Sequence, residues 1–211
     1  MVSAQRVRVI TVVTATAVEY AAAKAVLPQT VRVIRAGISL RRSRVHINGS
    51  AISCGLAGGV RDDVPTGAVL IPRIVRRSDG AAIQCDPALV EALIAASRTL
   101  GHEPMDAPLL TADALVHGPN RATYASAGIS GVDMETGFID AQRLACVRVV
   151  LDTPKREISP AWLHPASIVF HPGAWRDLPF LAREGPRCAR RAASVIARAI
   201  DSCEVRSVSR Q

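Results

Sequence analysis

Short runs of β-branched residues alternate with helix-patterned segments along most of the chain, and this alternation restricts the fold more than any other feature. Residues 6–14, RVRVITVVT, read as a buried strand. Residues 17–27, AVEYAAAKAVL, follow at once as a helix that Pro28 ends. Residues 31–38, 50–54, 68–75, 109–116 and 143–152 read as further strands. Residues 87–100 read as a helix with Pro87 at its start and Gly101 past its end. A short helix is expected near 133–142 and an amphipathic one over about 177–200, interrupted at Gly185-Pro186. Residues 154–180, rich in Pro, His and Trp, read as a long loop or lid. Strands alternating with helices predict an α/β fold with a central, mostly parallel sheet.

Composition removes several alternatives. With 49% hydrophobic and 21% charged residues, the chain is not of disordered type. Its 211 residues suit a single domain, 1–211. Aromatics are only 3%, so Ala, Val, Leu and Ile must build the core. No apolar run approaches the ~18 residues of a membrane span. The N-terminal apolar stretch is rich in Val, Ile and Thr and closes on Glu19, which suits a strand better than a leader peptide. Five scattered cysteines form no C-x-x-C pair, so no disulfide framework or zinc site is indicated, and a reducing cytoplasm is expected. The net charge of +8 suggests an anionic partner. However, the basic residues are all arginine apart from Lys24 and Lys155, are dispersed, and do not interleave with aromatics, so nucleic-acid binding is not expected.

In α/β sheets the ligand crevice lies beyond the carboxyl ends of the strands. Four places fall there: the end of the first strand near Glu19, the glycine turn after Cys54, the region Asp113 to Val116, and Asp152. Glu19 follows the first strand, as a candidate base or as a first-turn helix acid. Cys54 to Gly59, CGLAGG, reads as a glycine-rich turn after a strand, either approaching a ligand or simply turning tightly. Asp133 and Glu135 in GVDMET stand two apart at an element start and serve as caps or as site carboxylates. Asp152 ends the apolar run VRVVLD, where desolvation raises a carboxyl pKa towards that of a proton donor; the alternative is a cap on the turn at Thr153-Pro154. Cys54 as a nucleophile lacks a readable His partner, and His164 and His171 as a metal pair lack a third ligand.

In this order, GLAGG after a strand, ADALV, VDME and RVVLD resemble the nucleoside phosphorylase and nucleosidase superfamily, especially its methylthioadenosine/S-adenosylhomocysteine nucleosidase branch. The resemblance spans about residues 7–153. It implies a three-layer α/β fold with a twisted, mostly parallel sheet flanked by helices, a purine nucleoside substrate, a homodimer, and no cofactor or metal. It implies that Glu19 activates water, Glu135 binds the ribose hydroxyls and Asp152 protonates the purine at N7. It further implies that Met134 packs under the ribose and that Leu115 and Val116 contact the base. Leu56, Ala57 and Gly58 would border the sugar and nucleophile, with Val132 in the same pocket. Two segments are shorter than the family's, 37–54 and 135–152, and Leu115 replaces its usual aromatic.

At the positions where phosphorylases of this superfamily hold phosphate, the chain has Ser53 and Leu56, which favours water as nucleophile unless Arg41, Arg42 or Arg73 reaches the site. RVVLDTP and the Arg-rich tail resemble, more faintly, the hopanoid-associated phosphorylase branch. That likeness implies a large apolar 5′ substituent and a peripheral association of the basic region 176–191 with an acidic membrane face. The plainer reading of the tail is an amphipathic helix packed on the sheet. A phosphate-dependent phosphorylase and a non-catalytic basic binding protein on the same fold are the alternative functions.

Overall fold

The computed structural model describes residues 10–40, 44–163 and 171–208. Nine strands, β1 (Ile10–Thr14), β2 (Arg32–Arg35), β3 (Val45–Gly59), β4 (Val69–Leu70), β5 (Ile74–Arg77), β6 (Ala82–Gln84), β7 (Leu109–Thr111), β8 (Gly131–Asp133) and β9 (Ile139–Asp152), form one mixed sheet. Among the described residues four α-helices accompany it: α1 (Ala17–Val26), α2 (Pro87–Thr99), α3 (Asn120–Ser126) and α4 (Leu178–Val208). The order β2-β1-β3-β8-β7-β5-β6 runs across the sheet, and β9 pairs with β3 and β4. The pairs β1–β2, β1–β3, β3–β9, β5–β7 and β7–β8 are parallel, and the other three are antiparallel.

Period-two alternation separates the two faces. Val12, Ile52 and Ala145 join the large core cluster under α1, α2 and α4. Their neighbours Val13, Ala51 and Leu144 join a second cluster with Leu40 and Phe138 on the opposite face. On that second face, next to it, Leu110 and Val132 pack with Tyr124 of α3. The stripe Ala192, Val195, Ile196 and Ala199 of α4 is buried on the sheet, as the amphipathic reading expects, and Arg191 donates to the Gly67 carbonyl.

The structure corrects several boundaries. Cys54–Gly59 is not a turn; it is the distal half of β3, a 15-residue strand. The expected helix near 133–142 is a single 3-10 turn, Thr136–Phe138, after which β9 starts at once. α4 runs unbroken through Pro186. Only Leu109–Thr111 of 109–116 is strand, and Pro72 divides 68–75 into β4 and the start of β5. The 154–180 region contains 3-10 turns at Pro160–Leu163 and Pro172–Asp177, and Trp162 donates to the Ala174 carbonyl at 3.0 Å. His164, Arg41 and Arg42 lie outside the described residues. No helix among the described residues is long and apolar enough to cross a membrane.

The start of α2 is pinned by Asp86, its N-cap, which accepts from the Leu89 amide and pairs through both oxygens with Arg143 at 2.7 and 2.8 Å. The Arg143 guanidinium holds the Asp86 carboxyl down at about 2. Asp86→Ala is expected to cost about 1–2 kcal/mol, mostly from the lost cap. A carboxyl whose folded pKa is depressed stabilises above its unfolded value, so this contribution is present at neutral pH and is lost as pH falls from about 4 to about 2. Urea unfolding of the variant across that window checks both the size and the sign.

Candidate active site

The carboxyl ends of β1, β3 and β9 meet the loops after β7 and β8 around a cavity of about 180 Å³. Glu19 enters from the β1–α1 turn, and Leu56, Ala57 and Gly58 from β3. Leu115 and Val116 come from the loop after β7. Val132, Met134 and Glu135 come from β8 and the segment following it, and Asp152 is the last residue of β9. The ten residues that the family resemblance puts at the site therefore line one cavity.

Glu19 is the first-turn helix acid of one sequence reading, and it also stands where the other reading needs it, at the cavity wall. It is the N3 residue of a capping box with Thr16, and it is also buried at the cavity wall, 3% exposed. Its Oε2 accepts from the amides of Ala15 and Thr16 at 3.0 and 2.7 Å, and its Oε1 accepts from Leu56 at 2.8 Å. Three backbone donors thus fix the carboxylate's position. The strand can pass so close only because residue 55 is glycine: a Cβ there would meet the Glu19 carboxylate and lie 2.6 Å from Arg148 Nη1. The glycines of CGLAGG serve close approach, not turning.

Asp133 and Glu135 take different roles. Asp133 caps the 3-10 turn through the Thr136 amide and hydroxyl, accepts from Thr111 at 2.6 Å, and pairs with Arg148 at 2.7 Å. Glu135 faces the cavity, accepts from the Ser39 amide at 3.2 Å, and lies 3.5 Å from Arg148. Burial pushes the Glu135 carboxyl up against the pull of Arg148, with Asp133 and Glu19 adding to the rise. Arg148, 1% exposed, also donates to Ser53, Thr136 and the Leu56 carbonyl. Asp133 and Glu135 keep its guanidinium firmly protonated despite the cost of burial. Sequence reasoning did not single out Arg148, yet a lone arginine within the apolar run CVRVVL was a usable signal, because a charge in a buried strand needs partners.

Asp152 is 15% exposed at its side chain and is met by Arg121 of α3. Burial pushes its carboxyl above the ordinary carboxylate value, while the Arg121 charge and hydrogen bond oppose the rise. Its Oδ1 stands near Gly58, 3.2 Å from where a Cβ would lie there. Arg121 had no sequence signal: NRATYAS is a short, polar helix without a cap signature. A second, larger cavity of about 420 Å³ shares Thr16, Ile38, Leu56, Leu115, Leu151 and Asp152 with the first. Ile158, Trp162, Leu181 and Pro186 give it an apolar wall.

Other candidates fall away from the chemistry. Burial pushes the Cys54 thiol up to about 12, so it holds no reactive thiolate. Arg73 is tied to Glu91 and Asp106 at the surface, and Ser53 is buried against Arg148 and Thr136. His171 precedes a 3-10 turn, and no metal-holding group of three His, Cys, Asp or Glu exists among the described residues.

No protein-family model and no curated protein sequence matches the chain. Its fold, however, is shared by solved structures. The 5′-methylthioadenosine/S-adenosylhomocysteine nucleosidase of Neisseria meningitidis, in complex with methylthio-immucillin-A, superposes with a TM-score of 0.67 at 17% identity, covering 93% of this chain and 100% of that one. The S-adenosylhomocysteine nucleosidase of Streptococcus pyogenes gives 0.68 at 13% identity, covering 95% and 99%. The futalosine hydrolase of Helicobacter pylori gives 0.65 at 12%, covering 93% and 98%. The chain shares the α/β fold of these nucleosidases and of this futalosine hydrolase.

Proposed function

We propose that this protein is a nucleosidase that cleaves the N-glycosidic bond of a 5′-substituted adenosine with water. The observation that carries this reading is the convergence of Glu19, Glu135 and Asp152 on one cavity at the carboxyl end of the sheet. As the C1′–N9 bond breaks, its electrons move into the purine and positive charge develops on the sugar. Asp152, its carboxyl raised by burial, gives its proton to N7 of the leaving base. Glu135 accepts hydrogen bonds from the ribose hydroxyls and favours the positive ring. Glu19 holds a water against C1′ and takes its proton as the new C–O bond forms. The products are free adenine and a 5-substituted ribose.

Two further features refine the substrate. The one arginine lining the cavity, Arg121, is occupied by Asp152 and Glu157, so among the described residues no uncommitted cation lines the cavity to hold phosphate. The adjoining apolar cavity supports a 5′ group larger than methylthio, of the adenosylhopane kind. Adenine release from methylthioadenosine and from 5′-alkylthioadenosines of increasing chain length, with and without phosphate, tests the reading. Release independent of phosphate, with KM falling as the alkyl chain lengthens, is the expected result. A requirement for phosphate would replace hydrolysis by phosphorolysis, and no adenine from any substrate would end the enzymatic reading.

A further inference from the structure

We infer that the Arg121–Glu157 ion pair is a positioning device that sets how readily Asp152 gives up its proton, resting on the reading of Asp152 as the acid. The geometry is a buried hub. Arg121, 3% exposed at its side chain, reaches from α3 to three separate elements. Its Nη1 donates to the Gly59 carbonyl at the end of β3 at 2.5 Å, and its Nη2 donates to Asp152 Oδ2 at the end of β9. Its Nε lies 2.8 Å from Glu157 Oε1 in the loop after β9; the N–H is not aligned for a hydrogen bond, so the contact is an ion pair. That same Glu157 oxygen accepts from the Gly118 amide at 2.8 Å and so ties down the loop leading into α3.

Charge balance gives the cluster its consequence. With Asp152 protonated, the buried Arg121 and the more exposed Glu157 cancel and the cluster is neutral. With Asp152 ionised, the group carries one uncompensated negative charge in a poorly solvated place. Glu157 thus prevents Arg121 from stripping Asp152 of its proton, while Arg121 prevents two carboxylates from facing each other. The charged groups facing Asp152 are these two, and burial is the larger influence on it. Gly58, Val132 and Leu151, which share the cavity wall with Asp152, are uncharged. Glu157 lines neither cavity, so it acts on Asp152 through Arg121 and through its own charge rather than by touching substrate.

The two ends of the pair must therefore act with opposite sign. Glu157→Gln keeps an oxygen for the Gly118 amide but leaves Arg121 uncompensated. The alkaline limb of kcat/KM, which reports the free enzyme's acid, is expected to move down by about one pH unit. Arg121→Gln removes the cation, and the limb is expected to move up by about one unit or more. A purely structural role would lower activity in both variants without opposite shifts. The same titration is read without turnover from the carboxyl ¹³C resonance of Asp152 in Asp-labelled protein, assigned by its loss in Asp152→Asn. Shifts of like sign, or no shift in Glu157→Gln, overturn the inference. If Arg121→Gln does not fold, Glu157→Gln decides alone. If no nucleoside is cleaved, the resonance still tests the pair while the functional reading falls separately.

Discussion

Asp152→Asn is expected to lower kcat by about 10²–10⁴-fold, the span of a single general-acid step, while substrate binding stays measurable. An asparagine keeps the shape of the side chain and an oxygen that can accept from Arg121, so the ion-pair hub stays assembled around Glu157. It cannot supply a proton to N7, and the purine must then leave as a poorly stabilised anion. The alkaline limb attributed to the Asp152 carboxyl should vanish with it. Calorimetric binding of methylthioadenosine together with single-turnover adenine release separates the two quantities. A near-native rate in Asp152→Asn would remove Asp152 from the chemistry, whatever the fold. Loss of binding in proportion to rate would make it a residue that holds the base rather than one that protonates it.

Replacing Arg148 should cost more stability than any other single change in the site. Its guanidinium is the counter-charge for Asp133 and Glu135 and bridges Ser53, Thr136 and the Leu56 carbonyl. Arg148→Met removes the charge and leaves carboxylates buried without a partner, a loss of about 3–5 kcal/mol. For a chain of this length that corresponds to a fall in Tm of roughly 6–20 °C. Arg148→Lys keeps the charge but not the fork that reaches several oxygens at once, so an intermediate fall is expected. Because the penalty comes from ionised carboxylates, the gap to the parent protein should narrow at acid pH, where Glu135, whose carboxyl burial already pushes up, is protonated. Thermal melts of the three proteins at neutral and mildly acid pH measure this. An unchanged Tm for Arg148→Met at neutral pH would mean that solvent already shields the carboxylates.

Much of this arrangement was legible in the sequence for local reasons. The β-branched run before α1, and Pro87 at the first turn of α2 after Asp86, specify elements through backbone preferences and capping alone. Glu19 and Asp152 could be located because strand ends in an α/β sheet are where polar residues reach a crevice, whereas Glu135 is reached through the VDME resemblance; all three line the cavity. What local preference could not determine is seen in CGLAGG and in residues 133–142. Glycines there suggested a turn, yet β3 runs straight through them, because the space a Cβ would fill at Gly55 is taken by Glu19 and Arg148. The expected helix over 133–142 gave way to β9, whose long parallel pairing with β3, from Val45↔Ile139 to Gly58↔Asp152, outweighs local helical tendency.

Period and caps within a few residues of each other fix the class of fold, and strand ends put Glu19 and Asp152 at the crevice. How the site carboxylates are held depends on contacts between residues far apart in the chain. Arg148 meets Asp133 and Glu135 across the sheet, and Arg121 meets Asp152 from a helix 31 residues earlier. Such pairings arise from buried charges finding their counter-charges in three dimensions, and no local pattern encodes that search.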